Sequence, residues 1–343
     1  MVTIPSFILE RFYSTAFIFI VPSAVLIAAS LLFLKDKETE HRNRKFLRIA
    51  FGFLWFIDGL LQLQPLLGIA FIEETISPGL IMGSYQPWLS SLISTAANAW
   101  NLNPMVYDSI AATIQIFGGA IMLIGPRDLL YKPVLILSIP WSILIWVIGE
   151  GLGNSISPGA SWIIGSPGSV LFYLMASALL LSSERHDLRK AVRILMIAIF
   201  LVEFAWQVIP SNGYWDGVNL AMNTYLISVR PQYPDFSGFE ASVVQALLTN
   251  PILYNSLISA SLAISAVLWI LWPGRLSVTY TVAISILTWI FLMGFGGLFT
   301  GSSTDPNTQI PLACISISYL IYPKLKVGIA ESKAWSGVIK SQD

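Results

Sequence analysis

The chain is 343 residues long, 55% hydrophobic and only 11% charged, with a net charge of zero and a mean hydropathy of +0.71. About a quarter of a soluble domain is charged, so polar groups cannot cover a globule of this size, and the bilayer is the solvent that removes the problem. The neutral balance excludes the electrostatic footprint of a nucleic-acid partner, and the single cysteine, Cys314, excludes an internal disulfide or a thiolate cluster.

Apolar runs of roughly the 17–25 residues needed to cross fall at about 12–34, 46–66, 105–125, 133–153, 167–183, 191–210, 252–272, 277–297 and 309–323. The first is followed by charge and further spans, with no small-residue cleavage site, which predicts a retained helix rather than a signal peptide. The last is short, as a tilted or partly re-entrant segment would be. With the N-terminus outside, the segments 35–48, 126–132, 184–193, 274–276 and 324–343 lie inside. Of the 19 basic residues only Arg11 and Arg230 then fall outside, and the positive-inside rule selects this one topology. The expectation is a multi-pass protein of the cell membrane, with nine spans and a cytoplasmic C-terminus.

The chain also repeats itself. Aligned without a gap, Lys45 meets Lys190, Arg48 meets Arg193, Asp58 meets Glu203, Gln62 meets Gln207 and Pro65 meets Pro210. The match continues with Asn103-Pro104 and Asn250-Pro251, Tyr107 and Tyr254, Pro126 and Pro273, then Gly149 and Gly151 with Gly294 and Gly296, and Pro167 near Pro311. Chance alignment of apolar segments rarely matches carboxylate, amide and proline in register. Four spans per unit, an even number, keep both copies in one orientation, related by an axis along the membrane normal. The expected fold is therefore an all-α integral membrane protein: a leading helix and inner loop (1–44), two parallel four-helix repeats (45–187 and 188–325) and an inner tail (326–343).

Two long outer segments, about 66–104 and 211–250, occupy matching places in the two units, and loops of this length are uncommon unless functional. Each contains a helix-like stretch, near 87–100 and near 238–249. Tyr85, Trp88, Trp100, Tyr214, Trp215, Tyr225 and Tyr233 concentrate there, as an interfacial aromatic belt would or as a surface that caps a bundle mouth or docks a partner. Shorter Gly/Ser/Pro-rich outer loops run over 151–168 and 296–311. In the second, Ser302 to Asn307 offers one carboxylate, Asp305, among hydroxyls and amides, and reads as a turn before it reads as a cation site.

Asp58 and Glu203 each sit thirteen residues into a span and four before a glutamine. That spacing puts Asp58 with Gln62, and Glu203 with Gln207, on one helix face. A carboxylate at membrane depth costs a few kcal/mol and faces the bundle interior, where a partner is available; the glutamine amide is the expected donor. Glu150 ends a span in Gly149-Glu150-Gly151, and Gln64, Gln115 and Asp108 complete the inventory. By the topology, Asp58, Gln62, Glu150, Glu203 and Gln207 lie in the outer half of the membrane, at one level. Three chemistries fit, besides pairing that fixes helix packing: a quinone head-group site, a proton path and a small-solute site. A quinone needs hydrogen-bond partners for its carbonyls and an apolar trough for its tail, and an acid there would take the quinol proton. His41 and His186 lie in inner loops, so no histidine pair holds a membrane haem and no Cys–His set holds dinuclear copper. Neither a phosphate loop nor an H-E-x-x-H motif occurs. No metal site is expected.

The helix Leu47-Arg-Ile-Ala-Phe-Gly-Phe-Leu-Trp-Phe-Ile-Asp-Gly59, read with its four-span unit, resembles the opening of DoxX-type membrane proteins, whose first helix carries an Arg near the inner side and a Gly further along. The second unit departs from the pattern, with Glu203-Phe204 for Asp58-Gly59 and Ile197 for Gly52. Two such units behind a leading helix, over about residues 45–325, are similar to the large second subunit (DoxC-type) of a terminal quinol oxidase from thermoacidophilic archaea. That resemblance implies a respiratory subunit without redox metals of its own, and a partner catalytic subunit that carries haem and copper and is served by quinol. The alternative class is a secondary transporter or channel for a small solute, which parallel repeats and polar midplane residues also suit; a purely structural membrane scaffold is the third.

Overall fold

The computed structural model describes residues 4–33, 42–72, 86–125, 128–182 and 188–321. His41, Tyr85, Pro126, His186 and the segment 324–343 lie outside them, so the expectations placed there stand as sequence readings. The described residues form helices and irregular connections, with no strand among them. In chain order the helices are α1 (Ser6–Phe33), α2 (Arg42–Gln62), α3 (Leu67–Phe71), α4 (Pro87–Trp100), α5 (Pro104–Ile124) and α6 (Asp128–Leu144), which a π-turn over Ile145–Gly149 extends. Then follow α7 (Ser169–Leu181), α8 (Leu188–Val208), α9 (Gly217–Ser228), α10 (Ser237–Thr249), α11 (Pro251–Leu271), α12 (Arg275–Phe291) and α13 (Gln309–Ser318). Proline opens α4, α5 and α11 at the first turn, where its missing N–H is no loss and its fixed φ suits the helix.

Each expected apolar run holds a helix. Among the described residues, five segments are long and apolar enough to cross a membrane: Ser6–Ser30, Pro104–Ile124, Leu130–Gly149, Leu188–Val208 and Pro251–Leu271. A sixth results if α12 is counted with the Gly294–Thr300 segment, from which it is bent by 47°. The chain is thus a polytopic helical membrane protein by length and composition. α2 has the length but carries Arg42, Arg44, Lys45, Arg48 and Asp58. α7 and α13, of 13 and 10 residues, extend only about 20 and 15 Å at 1.5 Å per residue, well short of a hydrocarbon layer of about 30 Å.

α2 packs on α5 and α8 on α11; α6 packs on α7 and α12 on α13; α13 also touches α2, α7 and α8. One core cluster runs through both halves, with Phe51, Trp55, Phe172, Tyr173, Met196, Phe200, Trp269, Leu312 and Ile315 in contact. The α2–α5 contact is set by glycines. A Cβ on Gly119 would lie 2.4 Å from the Phe56 nitrogen, and one on Gly59 would lie 2.6 Å from the Ile116 nitrogen. Small residues permit this close backbone approach, which membrane helices use in place of a hydrophobic drive. At the places the sequence match pairs with these glycines and Gly52, α8 and α11 carry Phe204, Ala266 and Ile197.

Arginines of α2 and α8 close the C-termini of their neighbours. Arg48 donates to the Met122 and Leu123 carbonyls of α5, and Arg193 donates to the Trp269 and Ile270 carbonyls of α11 at 3.1 and 2.6 Å. Arg44 does the same for α7, at the Leu179 and Leu180 carbonyls, 2.9 and 3.0 Å away. Each places a cation where the helix dipole ends and the last carbonyls lack partners.

After α6 and after α12 the backbone makes the same unusual turn. Gly151, Leu152, Gly153 and Asn154 have φ of 55, 62, 58 and 60°, and Gly294, Phe295, Gly296 and Gly297 have φ of 48, 57, 67 and 71°. Runs of left-handed residues are rare because each non-glycine costs about 1–2 kcal/mol, and a bulky residue stands second in both. Behind each turn an indole clamps a proline carbonyl: Trp146 donates to Pro167 at 2.7 Å and Trp289 to Pro306 at 2.8 Å. This geometry matches Gly151 with Gly294, and Ser166-Pro167-Gly168-Ser169 with Asp305-Pro306-Asn307-Thr308. The expected matches of Gly149 with Gly294 and of Pro167 with Pro311 are therefore out of register, because spacing through irregular loops is not kept when the turn geometry is.

Candidate functional site

A cavity of about 330 Å³ lies between α2, α4, α5 and α6. α2 lends it Asp58 and Gln62, α5 lends Tyr107, Ala111 and Gln115, α4 lends Trp100, and α6 lends Trp141. Thr304 and Asp305 reach into it from the loop after α12. Five polar atoms of this lining have no hydrogen-bond partner among the described residues: Asp58 Oδ1, Gln62 Oε1, Gln115 Oε1, Trp100 Nε1 and Trp141 Nε1. Asp58, Gln62 and Gln115 are 4, 5 and 8% exposed, and a buried polar group left unpaired costs about 1–3 kcal/mol. Three acceptors and two indole donors aimed into one apolar-walled space are complementary to a ligand that donates through hydroxyls and presents a flat ring to Phe71, Trp100 and Trp141.

A second cavity of about 330 Å³ adjoins the first and is more polar. Its walls come from both left-handed turns, from the loop segments around 164–169 and 300–308, and from Asn223, Ile227 and Arg230 near the end of α9. Gly149, Thr304 and Asp305 line both cavities. Glu150 lines the polar one, and its carboxylate accepts from the Ser169 hydroxyl at 2.6 Å and from the Val170 N–H at 3.2 Å. Asp305 Oδ1 accepts from the Asn307 N–H at 2.6 Å, the expected turn. Burial raises its carboxyl above the ordinary carboxylate range, against the Asn307 bond and the nearby Ser169 and Thr304 hydroxyls, which lower it.

A third cavity, of about 560 Å³, lies among α10, α11 and α12. Tyr254 stands where the first has Tyr107, and Leu247, Leu262, Ile284 and Thr288 stand where it has Trp100, Gln115, Trp141 and Ile145. The carboxylate and amides of the first cavity have no counterpart in this lining, whose polar groups are Trp162, Ser242, Tyr254, Ser261 and Thr288. Just as the loop with Thr304 enters the first cavity, Trp162 of the other loop enters the third, where its indole donates to Thr288 Oγ1 at 2.7 Å.

The structure thus divides the residues expected at one level. Asp58 and Gln62 share the first cavity, as their spacing predicts, and Glu150 lies one cavity away. Gln64 donates to the Ser303 carbonyl at 2.9 Å and ties the two halves together. Glu203 and Gln207 line none of the three cavities. Gln207 donates to Asn255 Oδ1 at 2.7 Å and accepts from the Ser161 hydroxyl at 2.6 Å. It therefore does not donate to Glu203, both of whose oxygens lack a partner among the described residues; the expected carboxylate–amide pair is corrected, because a closer amide on α11 competes for the same donor. Asp108 is fully buried on α5, with both oxygens likewise unpartnered. Trp141 carried no sequence signal beyond hydrophobicity. Tyr214, expected in an aromatic belt, is buried and donates to the Gly159 carbonyl, whereas Trp88, Tyr225 and Tyr233 are exposed as a belt requires. Among the described residues no three His, Cys, Asp or Glu side chains come together as a metal site. No family model, no curated protein and no solved structure matches the chain.

Proposed function

We propose that this chain is a haem-free membrane subunit of a respiratory quinol-oxidising complex, and that the first cavity holds the quinol head group. The observation that carries the reading is the unpartnered set lining that cavity: Asp58, Gln62 and Gln115 as acceptors, Trp100 and Trp141 as donors. Quinol hydroxyls donate to the carboxylate and amide oxygens, and the carbonyls of the oxidised ring accept from the indoles. Acceptors outnumber donors, which favours the reduced ring. A volume of about 330 Å³ lies at the lower end of ligand pockets, roughly 300–1,000 Å³; it suits a head group, with the tail left to the membrane.

In this reading the chain crosses nine times with its N-terminus outside, and the two four-helix units are duplicates in parallel orientation. The matched left-handed turns, the indole–proline clamps, the arginine caps and the reciprocal entry of each loop into the other unit's cavity support the duplication. α7 and α13, short as they are, complete their crossings with irregular backbone packed inside protein, where such backbone is tolerated. Haem and copper belong to a partner subunit, whose metals take the electrons.

Purification in mild detergent from the native membrane, with a visible spectrum and mass spectrometry, tests the reading. Haem bands with a large co-purifying subunit are expected. A colourless, solitary protein that binds no quinol analogue overturns it. The bend after α12 and the adjoining polar cavity between the two halves favour one second reading, a transporter of a small polar solute, and solute uptake by the solitary protein would select it.

A further inference from the structure

We propose that Asp305 and Glu150 carry protons from the first cavity to the polar cavity and so to the outer face, with Asp305 supplied by one unit to serve the site of the other. This rests on the quinol reading. Of the three residues that line both cavities, Gly149, Thr304 and Asp305, only Asp305 can titrate. Asp58 presents an unpartnered oxygen on one side of it. On the other side the Ser169 hydroxyl lies beside Asp305 and donates to Glu150 at 2.6 Å. The walls of the polar cavity come from segments that the topology places outside. Among the described residues the remaining charged group facing it is Arg230, whose Nη1 donates to Ser302 Oγ at 3.1 Å, and no described lysine or histidine lines either cavity.

The fold needs an acceptor oxygen at each place rather than an acid: Glu150 accepts from Ser169 and Val170, and Asp305 from Asn307. The Asn307 N–H requires only an oxygen at Asp305, which asparagine also offers. At the matching turn in the first unit stands Ser166, and Met293 stands where Glu150 does, so each unit builds the same loop without the acid of the other. A proton wire explains why both acids nevertheless face one cavity. Quinol loses two protons and two electrons. A metal centre of the proposed partner subunit would be the oxidant that takes the two electrons. Each O–H bond broken on the ring is matched by one formed on Asp58, then on Asp305, then on Glu150, then on water in the polar cavity, one proton at a time.

The test uses the intact complex with Asp305→Asn and Glu150→Gln. A short-chain quinol analogue is titrated by tryptophan quenching, and its oxidation is followed against pH in light and heavy water. Both variants are expected to bind as the wild type does, to turn over slower by on the order of a hundredfold, to show an enlarged solvent isotope effect and to regain rate with a small weak acid such as formate. Wild-type turnover in Asp305→Asn overturns the route, as does slow turnover without rescue or isotope effect. Lost analogue binding in the variants also overturns it, making these acids binding or structural groups. If the wild-type complex itself neither binds nor oxidises the analogue, the quinol reading falls instead.

Discussion

Gln115→Leu gives the sharpest separation of ligand binding from folding. Leucine is what the third cavity carries at the matching place, Leu262, so the substitution copies a lining that this framework already supports. Gln115 is 8% exposed and its oxygen has no partner among the described residues. Removing an unsatisfied buried acceptor recovers a desolvation penalty of about 1–3 kcal/mol. Taking the lower end, the midpoint of thermal inactivation in detergent rises by about 2 °C, the shift that 1 kcal/mol gives a domain of 150–250 residues. On the proposed quinol reading, the same change removes one acceptor from the bound ring. A neutral hydrogen bond contributes about 1 kcal/mol, or roughly a fivefold weaker Kd at 1.4 kcal/mol per decade. Stability and affinity therefore move in opposite directions. Differential scanning fluorimetry and titration of a quinol analogue on the same preparation read both. A loss of stability together with unchanged affinity would refute the reasoning, because Gln115 would then be a structural group with a partner.

Further expectations test the framework. Asp58→Asn puts an amide donor among the acceptors and should weaken analogue binding about fivefold, since a neutral hydrogen bond contributes about 1 kcal/mol, whereas Glu203→Gln should leave binding unchanged; equal effects in a titration would remove the first cavity as the site. Gly119→Val forces a Cβ to within 2.4 Å of the Phe56 backbone and should destabilise by about 1–3 kcal/mol, while Ala266→Val at the matching place should be mild; thermal inactivation of the two compares them directly. Gly153→Ala places a Cβ 1.9 Å from the Pro167 oxygen at a φ of +58°, and expression with correct assembly should fail. Arg48→Leu removes a buried helix cap, Arg193→Leu a half-exposed one, so the first should cost more stability; the reverse order in a melting series would contradict the capping argument.

The helices were legible because apolar runs are bounded by proline, asparagine and charge, and α4 and α10 stood out by period alone. α9 was not foreseen: its sequence, from Gly217 to Ser228, mixes polar and apolar residues without a clear face, and its N-cap Asp216, which accepts from Val218 at 3.0 Å, reads equally well as a turn. The shared face of Asp58 and Gln62 followed from i, i+4 spacing. The fate of Gln207 did not, because the competing amide, Asn255, comes from another helix. Nor did the left-handed turns, since Leu152 and Phe295 look in sequence like ordinary apolar residues. Asp305 was visible only as part of a turn; its place between two cavities depends on how one half of the chain lies against the other, which no local pattern encodes.

The comparison of the first and third cavities bears hardest on function. The first lies among α2, α4, α5 and α6 and the third among α10, α11 and α12, and the match of the two units pairs Trp100, Gln115 and Trp141 with Leu247, Leu262 and Ile284. The third shows that leucine, isoleucine and a bonded threonine suffice there. Five unpartnered polar atoms in the first, at about 1–3 kcal/mol each when buried, would together cost an amount comparable with the whole stability of an ordinary domain, about 5–15 kcal/mol. Water in the cavity would offset part of that cost, yet an apolar lining would avoid it altogether. On the proposed reading a ligand pairs with this polar lining, and the flat aromatic walls with one carboxyl and two amide oxygens suit a ring bearing hydroxyl donors.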